Sequence, residues 1–142
     1  MKIALTIISI LFAIALWSPS ARTNPPQKPQ ELAQQSAESW LALADAGKYA
    51  ESWDESSELF RNAVTKEQWQ KTLNATLSPL GKMQSRKLKS ATYTKTLPGA
   101  PDGEYVVIQY DSSFVNKKSA VETVTPMLDK DGKWRVSGYF IR

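Results

Sequence analysis

The sequence predicts an α+β fold, in which about three N-terminal helices pack on a curved, four-stranded antiparallel sheet that forms a half-open cone. Two observations predict this class. Apolar residues recur at steps of three and four through the first half of the domain, which is typical of helices, and they alternate with polar residues from Met83 onward, which is typical of strands. Helices and strands that come in separate blocks favour α+β over α/β.

The first helix is predicted at residues 31–46, and Gly47 supplies its C-terminal stop. A second helix is predicted at residues 49–62, with its acidic side chains mostly on the solvent side. Each of these two segments carries its own stripe on one face. The first stripe consists of Ala33, Ala37, Trp40, Leu41 and Ala44, and the second of Tyr49, Trp53, Ser56, Leu59 and Phe60.

The third helix begins at Thr65, which forms a capping box with Gln68, and it ends at Gly81. Its apolar stripe is Trp69, Leu73, Leu77 and Leu80, and we expect Pro79 to tighten or break its last turn. The four tryptophans that follow Trp17 all fall on apolar stripes, which predicts that they build the core. These are Trp40, Trp53, Trp69 and Trp134.

Four strands are predicted in the second half, at residues 85–97, 104–114, 119–128 and 133–142. The segment between the last two contains Asp129, Asp131 and Gly132, which raises the alternative of a calcium loop. Such a loop needs oxygen ligands at its fifth and twelfth positions and Gly at its sixth. Here Lys and Phe occupy the fifth and twelfth positions, so the Asp-Gly pair indicates a hairpin turn.

The N-terminus has the layout of a secretory signal peptide, with a basic start, an uncharged stretch from Ile3 to Trp17 and small residues after it. We assign residues 1–21 to a signal peptide, 22–30 to a Pro- and Gln-rich flexible leader and 31–142 to one domain. This organisation predicts an exported, periplasmic protein of a bacterial envelope. An uncleaved N-terminal anchor is the alternative, because Pro19 lies in the cleavage region.

The chain has no cysteine and no histidine. Disulfides, thiolate nucleophiles and mechanisms that depend on Ser-His, Cys-His or His-zinc are therefore excluded. No cofactor or metal is predicted.

Charge is uneven, because residues 31–60 hold seven acidic side chains against one Lys, and residues 61–100 hold eight basic side chains against one Glu. The two regions attract each other or are simply solvated; contact of a weak basic patch (Arg86, Lys87 and Lys89) with anionic lipid is the alternative, and no nucleic-acid motif is present.

Three stretches carry a family resemblance: "SRKLKSATY", "LPGAPDGEYVVIQYDSSF" and "ETVTPMLDKDGKWRVSGYFIR". Together they resemble the domain-of-unknown-function family numbered four thousand and nineteen, a family of small exported bacterial proteins, over about residues 37–142. The C-terminal hairpin is also similar to that of the nuclear-transport-factor-2-like superfamily. This second resemblance implies a cone-shaped, nuclear-transport-factor-2-like or cystatin-like fold, and neither resemblance implies catalytic residues.

The first functional hypothesis is a non-enzymatic binding module of the envelope that holds a small apolar ligand or a partner protein in the cone. Aromatic residues on the apolar stripes are the candidate lining, and filling of the core is the alternative role for each. The candidates are Trp40, Trp53, Phe60, Tyr110, Trp134 and Phe140.

The second hypothesis is an acid–base enzyme of the ketosteroid-isomerase-like type, with Asp111 as the carboxylate beside Tyr110 or Tyr139. A solvent-facing strand end is the favoured explanation of Asp111, and no catalytic residue is assigned. The third hypothesis is a homodimer formed through the sheet. Its predicted face carries Tyr105, Val107, Val121, Thr123 and Tyr139.

Overall fold

A computed structural model describes residues 27–142, and the predicted signal peptide and most of the leader lie outside this range. The helices come first and the strands follow, as the fold class predicts. The helices are α1 (Pro29–Asp45), α2 (Tyr49–Asp54), α3 (Glu58–Ala63) and α4 (Lys66–Leu77), followed by a 3-10 turn (Ser78–Leu80). The strands are β1 (Met83–Thr94), β2 (Tyr105–Phe114), β3 (Lys117–Leu128) and β4 (Trp134–Ile141).

The predicted α+β class is confirmed, with four helices where about three are expected, because residues 49–62 form two short helices instead of one. Ser57 is the N-cap of α3, and its side chain accepts a hydrogen bond from the Phe60 amide at 3.2 Å. The Ser57 amide itself donates to the Val136 carbonyl at 2.8 Å. The break therefore lets the chain turn and satisfy a backbone acceptor of β4, which a continuous helix would leave without this partner.

The third predicted helix is α4, and its capping box is confirmed. Thr65 accepts from the Gln68 amide at 3.2 Å, and the Gln68 side chain accepts from the Thr65 amide at 3.1 Å. The 3-10 turn at Ser78–Leu80 confirms that Pro79 tightens the end of this helix.

The four strands form one antiparallel sheet in the order β1-β2-β3-β4, and the two outer strands do not pair with each other. The sheet is thus open, and irregularities in the register of each strand pair curve it. Between β3 and β4 the irregularity falls where Thr125 pairs with Gly138 and Pro126 pairs with Val136. It lets Val136 and Tyr139 both face the helices. Helix α1 lies across this face and contacts all four strands.

Aromatic side chains join the helices to the sheet. The ring of Trp40 lies 5.3 Å from that of Tyr139 and 6.0 Å from that of Trp69, and Phe60 meets Trp69 edge-on at 4.8 Å. Trp40 and Trp69 are buried, whereas Trp53 and Trp134 are half-buried and pack at the border of the core. All four predicted tryptophans therefore take part in packing, to different depths.

The connection between β3 and β4 is the predicted hairpin turn. The Asp129 amide donates to the Lys133 carbonyl and the Gly132 amide to the Asp129 carbonyl, both at 2.9 Å, and Gly132 has φ +81°. Arg135 donates to the carboxylates of Asp129 and Asp131 at 2.9 and 2.8 Å. The Asp residues of this segment thus stabilise the turn, as the hairpin interpretation requires.

Candidate binding groove and buried carboxylate network

A groove of about 840 Å³ opens between α1, α2 and the start of β4. We call it the α1–β4 groove. Its apolar lining comes from Leu32, Trp40, Leu43 and Trp134, and its charged lining from Glu51, Asp54, Glu55, Lys133 and Arg135. The apolar part follows from the helical periodicity of α1, which brings its own residues to one side of the strand that carries Trp134.

Hydrogen bonds hold the walls of the α1–β4 groove in place. The Ser36 hydroxyl donates to the Trp134 carbonyl at 2.8 Å, which fixes α1 against β4. The Trp40 indole donates to the Ser52 carbonyl at 2.9 Å and to the Ser56 hydroxyl at 3.0 Å, which fixes α1 against α2. Because both contacts are buried or partly buried, the groove is a preformed feature of the fold.

The charges around the α1–β4 groove are only partly compensated. Asp54 pairs with Lys66 at 2.7 Å. Arg135 pairs with two carboxylates of the hairpin turn, and its hydrogen bonds lower the pKa of Asp131 to about 2. Glu51 and Glu55 are exposed and have neither an ion pair nor a side-chain hydrogen bond within residues 27–142.

A second charged cluster, the Glu122 network, lies inside the fold. Glu122 is 1% exposed, and each of its two carboxylate oxygens accepts two hydrogen bonds. One oxygen accepts from the Arg86 Nε at 2.8 Å and from the Ser112 hydroxyl, and the other accepts from the Arg86 Nη2 at 3.0 Å and from the Tyr139 hydroxyl at 2.7 Å. A carboxylate offers about four acceptor positions, so none remains for a substrate.

The same guanidinium reaches a second carboxylate. Arg86 donates to both oxygens of Asp45, the last residue of α1, at 2.7 and 3.0 Å. Burial, followed by the charge of Glu122, raises the pKa of the Tyr139 hydroxyl well above its usual range, so Tyr139 acts as a neutral donor. The Glu122 network thus joins the end of α1 to β1, β2, β3 and β4 and has the character of a structural device.

The six predicted lining residues do not converge on one cavity. Trp40 and Trp134 border the α1–β4 groove. Trp53 lies among the helices, where its indole donates to the Val64 carbonyl at 2.8 Å, and Phe60 packs on Trp69.

The other two predicted lining residues belong to the sheet. Tyr110 is buried on the helix-facing side, and its hydroxyl has no hydrogen-bond partner within the described part of the chain; burial raises its pKa to about 12. Phe140 is 57% exposed near the end of β4. Phe140 lines a second, smaller pocket of about 190 Å³ between α4 and β4, whereas the α1–β4 groove lies beside α1.

The proposed acid–base set is not assembled. Asp111 lies on the outer face of β2, where its side chain is 59% exposed and 3.6 Å from the Lys89 amine, whereas Tyr110 and Tyr139 face the helices. The buried carboxylate is instead Glu122, which the sequence analysis missed. Its signal was present, because Ala120, Glu122 and Val124 alternate on one face of a strand and place an acid in an apolar row.

The residues of the predicted dimer face do not all lie on one surface of the sheet. Tyr105 is buried on the outer side, and its hydroxyl donates to the Pro101 carbonyl at 2.6 Å, so the loop before β2 covers it. Tyr139 points to the helices. Val107, Val121 and Thr123 remain half-exposed on the outer side. Arg86 of the predicted basic patch is engaged in the Glu122 network, and only Lys87 and Lys89 of that patch are exposed.

Comparisons with known proteins bear on fold and family. No curated protein matches the chain. A solved structure from Catenulispora acidiphila, 14% identical, matches with a TM-score of 0.52 over 79% of this chain and 88% of that one, which shows a shared fold only. The nuclear-transport-factor-2-like resemblance stays a prediction. A family model described as "Protein of unknown function (DUF4019)" matches residues 36–139, so the chain belongs to this family, as its sequence resemblance predicts.

Proposed function

We propose that the protein is a non-enzymatic binding module of the bacterial envelope that holds a small ligand or a segment of a partner protein in the α1–β4 groove. The observation that carries the proposal is the groove itself. Its volume of about 840 Å³ falls in the range of ligand sites, and it combines aromatic and aliphatic side chains with a few charged ones.

The state of the acidic residues supports a non-enzymatic role. A general acid or base must reach a substrate proton within hydrogen-bond distance. Glu122 is buried and its acceptor positions are occupied, and Asp111 is exposed on the outer face, 3.6 Å from the Lys89 amine. The groove carboxylates are exposed, so a ligand can reach them directly, which suits binding.

The N-terminal sequence supports the cellular location in this proposal. Its signal-like layout lies in residues 1–21, outside the described range. Among the described residues no helix is long and apolar enough to cross a membrane. Given the signal-like layout, we propose that a bound ligand is met in the periplasm or at the face of a neighbouring envelope protein.

Native mass spectrometry of protein purified from the periplasm without refolding tests the proposal. The native mass is compared with the mass under denaturing conditions, and we expect an additional non-covalent mass. Ser39→Trp, which places an indole in the groove, should remove that mass, whereas the control Ala75→Trp on the exposed side of α4 should retain it. A bare mass for the wild type, or equal retention by both variants, contradicts groove binding.

A further inference from the structure

We propose that the occupant of the α1–β4 groove is a basic peptide segment of a partner protein, bound through a Lys or Arg side chain and a neighbouring apolar side chain. This inference rests on the proposed function and specifies its ligand. Charge complementarity around the groove and the nature of its lining carry it.

The α2 wall of the groove has an excess of negative charge. Of its three carboxylates, Asp54 is neutralised by Lys66, and Glu51 and Glu55 have no partner within residues 27–142. A ligand that brings positive charge to this wall gains attraction without having to break an existing ion pair.

The β4 wall does not cancel this charge. Arg135 is held by Asp129 and Asp131 at the turn, so its charge is already compensated. Lys133 is the remaining cation of the lining, and it lies at the hairpin turn. Two uncompensated acids therefore face one uncompensated base, and the excess lies on α2.

Aromatic and acidic groups in one groove suit a Lys or Arg side chain. Such a cation is attracted by the face of an indole and by carboxylates at the same time. The chain contains an internal example, in which the Lys66 amine lies 5.2 Å from the centre of the Trp53 ring and 2.7 Å from Asp54. In the groove, half-buried Trp134 belongs to the same lining as Glu51 and Glu55, which have no cation partner within residues 27–142.

The size and shape of the groove favour a peptide over a small amine. One basic side chain fills only part of about 840 Å³, and Leu32 and Leu43 add apolar surface along α1. An extended segment that alternates basic and apolar side chains would use both parts. Leu32 is 37% exposed, so covering it also removes apolar area from water.

Fluorescence anisotropy with three labelled hexapeptides tests the inference. The peptides repeat Lys-Leu, Gln-Leu or Glu-Leu three times, and each is measured at low and at physiological salt. We expect the Lys-Leu peptide to bind about tenfold more tightly than the Gln-Leu peptide, with a difference that shrinks as salt screens the charges. We expect no binding of the Glu-Leu peptide.

Matched double variants locate the binding. Glu51→Gln with Glu55→Gln should weaken the Lys-Leu peptide by about three- to tenfold, as expected for two exposed charge pairs. Glu67→Gln with Asp102→Asn removes the same charge outside the groove and should leave the affinity unchanged. An equal loss in both variants would assign the effect to net charge and overturn the inference.

The remaining outcomes separate this inference from the proposed function. If the Gln-Leu peptide binds as tightly as the Lys-Leu peptide and Ser39→Trp blocks both, the groove is a binding site but its ligand is not basic. If the native mass shows a ligand that Ser39→Trp removes and no peptide binds, the ligand is not a basic peptide and the inference fails alone. If there is neither a bound mass nor any peptide binding, both fail.

Discussion

The α1–β4 groove and the Glu122 network both place charged side chains against aromatic rings along helix α1. They differ in how their charges are satisfied. In the Glu122 network every carboxylate oxygen has its partners, and the guanidinium bridges two acids. In the groove, Glu51 and Glu55 are exposed and have no partner within residues 27–142. Removing a partner of a satisfied buried charge destabilises the fold, whereas an unsatisfied charge beside an open apolar surface is available to a ligand.

The largest expected effect breaks the Glu122 network. Arg86→Ala leaves the Glu122 carboxylate buried without its cation, which should cost about 3–5 kcal/mol of the free energy of unfolding. Urea unfolding followed by circular dichroism measures this loss. The neighbouring Lys87→Ala, on the exposed side of β1, should change stability by less than about 0.5 kcal/mol. Similar unfolding midpoints for the two variants would show that the network contributes no more than the surface does.

A smaller loss is expected from Tyr139→Phe, which removes one of the four hydrogen bonds to Glu122. The Glu122 oxygen that loses this partner stays buried, so the expected cost is about 1–3 kcal/mol in urea unfolding. Ser137→Ala removes a hydroxyl from the same strand that donates only to a backbone carbonyl, and it should cost less. An equal cost in the two variants contradicts the special role of the bond to Glu122.

The raised pKa of Tyr139 should also make the free energy of unfolding depend on pH, and wild type and Tyr139→Phe should differ in this dependence. Because the folded state raises this pKa, the folded protein holds the proton after the unfolded chain has released it. The contribution of Tyr139 to stability is therefore complete below about pH 10, the ordinary tyrosine value, and declines as pH rises above it. Tyr139→Phe should flatten this alkaline decline. A wild-type decline that the variant fully retains would assign it to other groups, such as Tyr110, whose pKa is raised to about 12.

In the groove, Ser36→Ala tests whether the walls are held in place. Loss of its hydrogen bond to the Trp134 carbonyl should cost about 0.5–1.5 kcal/mol in urea unfolding. It should also weaken the ligand seen in native mass spectra. Thr76→Ala is the control, since the Thr76 hydroxyl donates within its own helix, α4, and lies outside the groove. Retained ligand in Ser36→Ala would show that this contact does not shape the site.

The smallest effect on stability is expected where the effect on binding is largest. Glu51→Gln with Glu55→Gln should change the free energy of unfolding by less than about 0.5 kcal/mol, because both side chains are exposed. Together with the expected loss of peptide affinity, this result would separate the groove from the Glu122 network. A marked drop in the unfolding midpoint would instead assign these two acids a structural role.

Local sequence signals predicted most of the fold because they report interactions between near neighbours. The capping box of Thr65 and Gln68 and the hairpin turn at Gly132 each depend on residues a few positions apart. The second helix was predicted too long for the opposite reason. Its break is stabilised by the hydrogen bond from Ser57 to Val136, across 79 positions of chain, which no local pattern contains.

The candidate site was predicted only in part. Trp40 and Trp134 were identified as apolar, and they do border the groove, but the sequence placed the open space inside the cone. Glu122 and Arg86 lie 36 positions apart in the chain, and the sequence analysis assigned Arg86 to a basic patch and did not single out Glu122. The pairing register of β1, β2 and β3 brings them together, and register is set by packing of whole strands.

The sequence by itself determined the α+β class, the hairpin and the absence of cysteine and histidine chemistry. It also determined the unequal charge of residues 31–60 and 61–100. Each of these depends on composition or on short-range periodicity. Only the tertiary structure decided which charges are paired and where a ligand would fit. Arg86 and Glu55 are both charged side chains on predicted surfaces, and the difference between them is the presence of distant partners, which only the folded chain supplies.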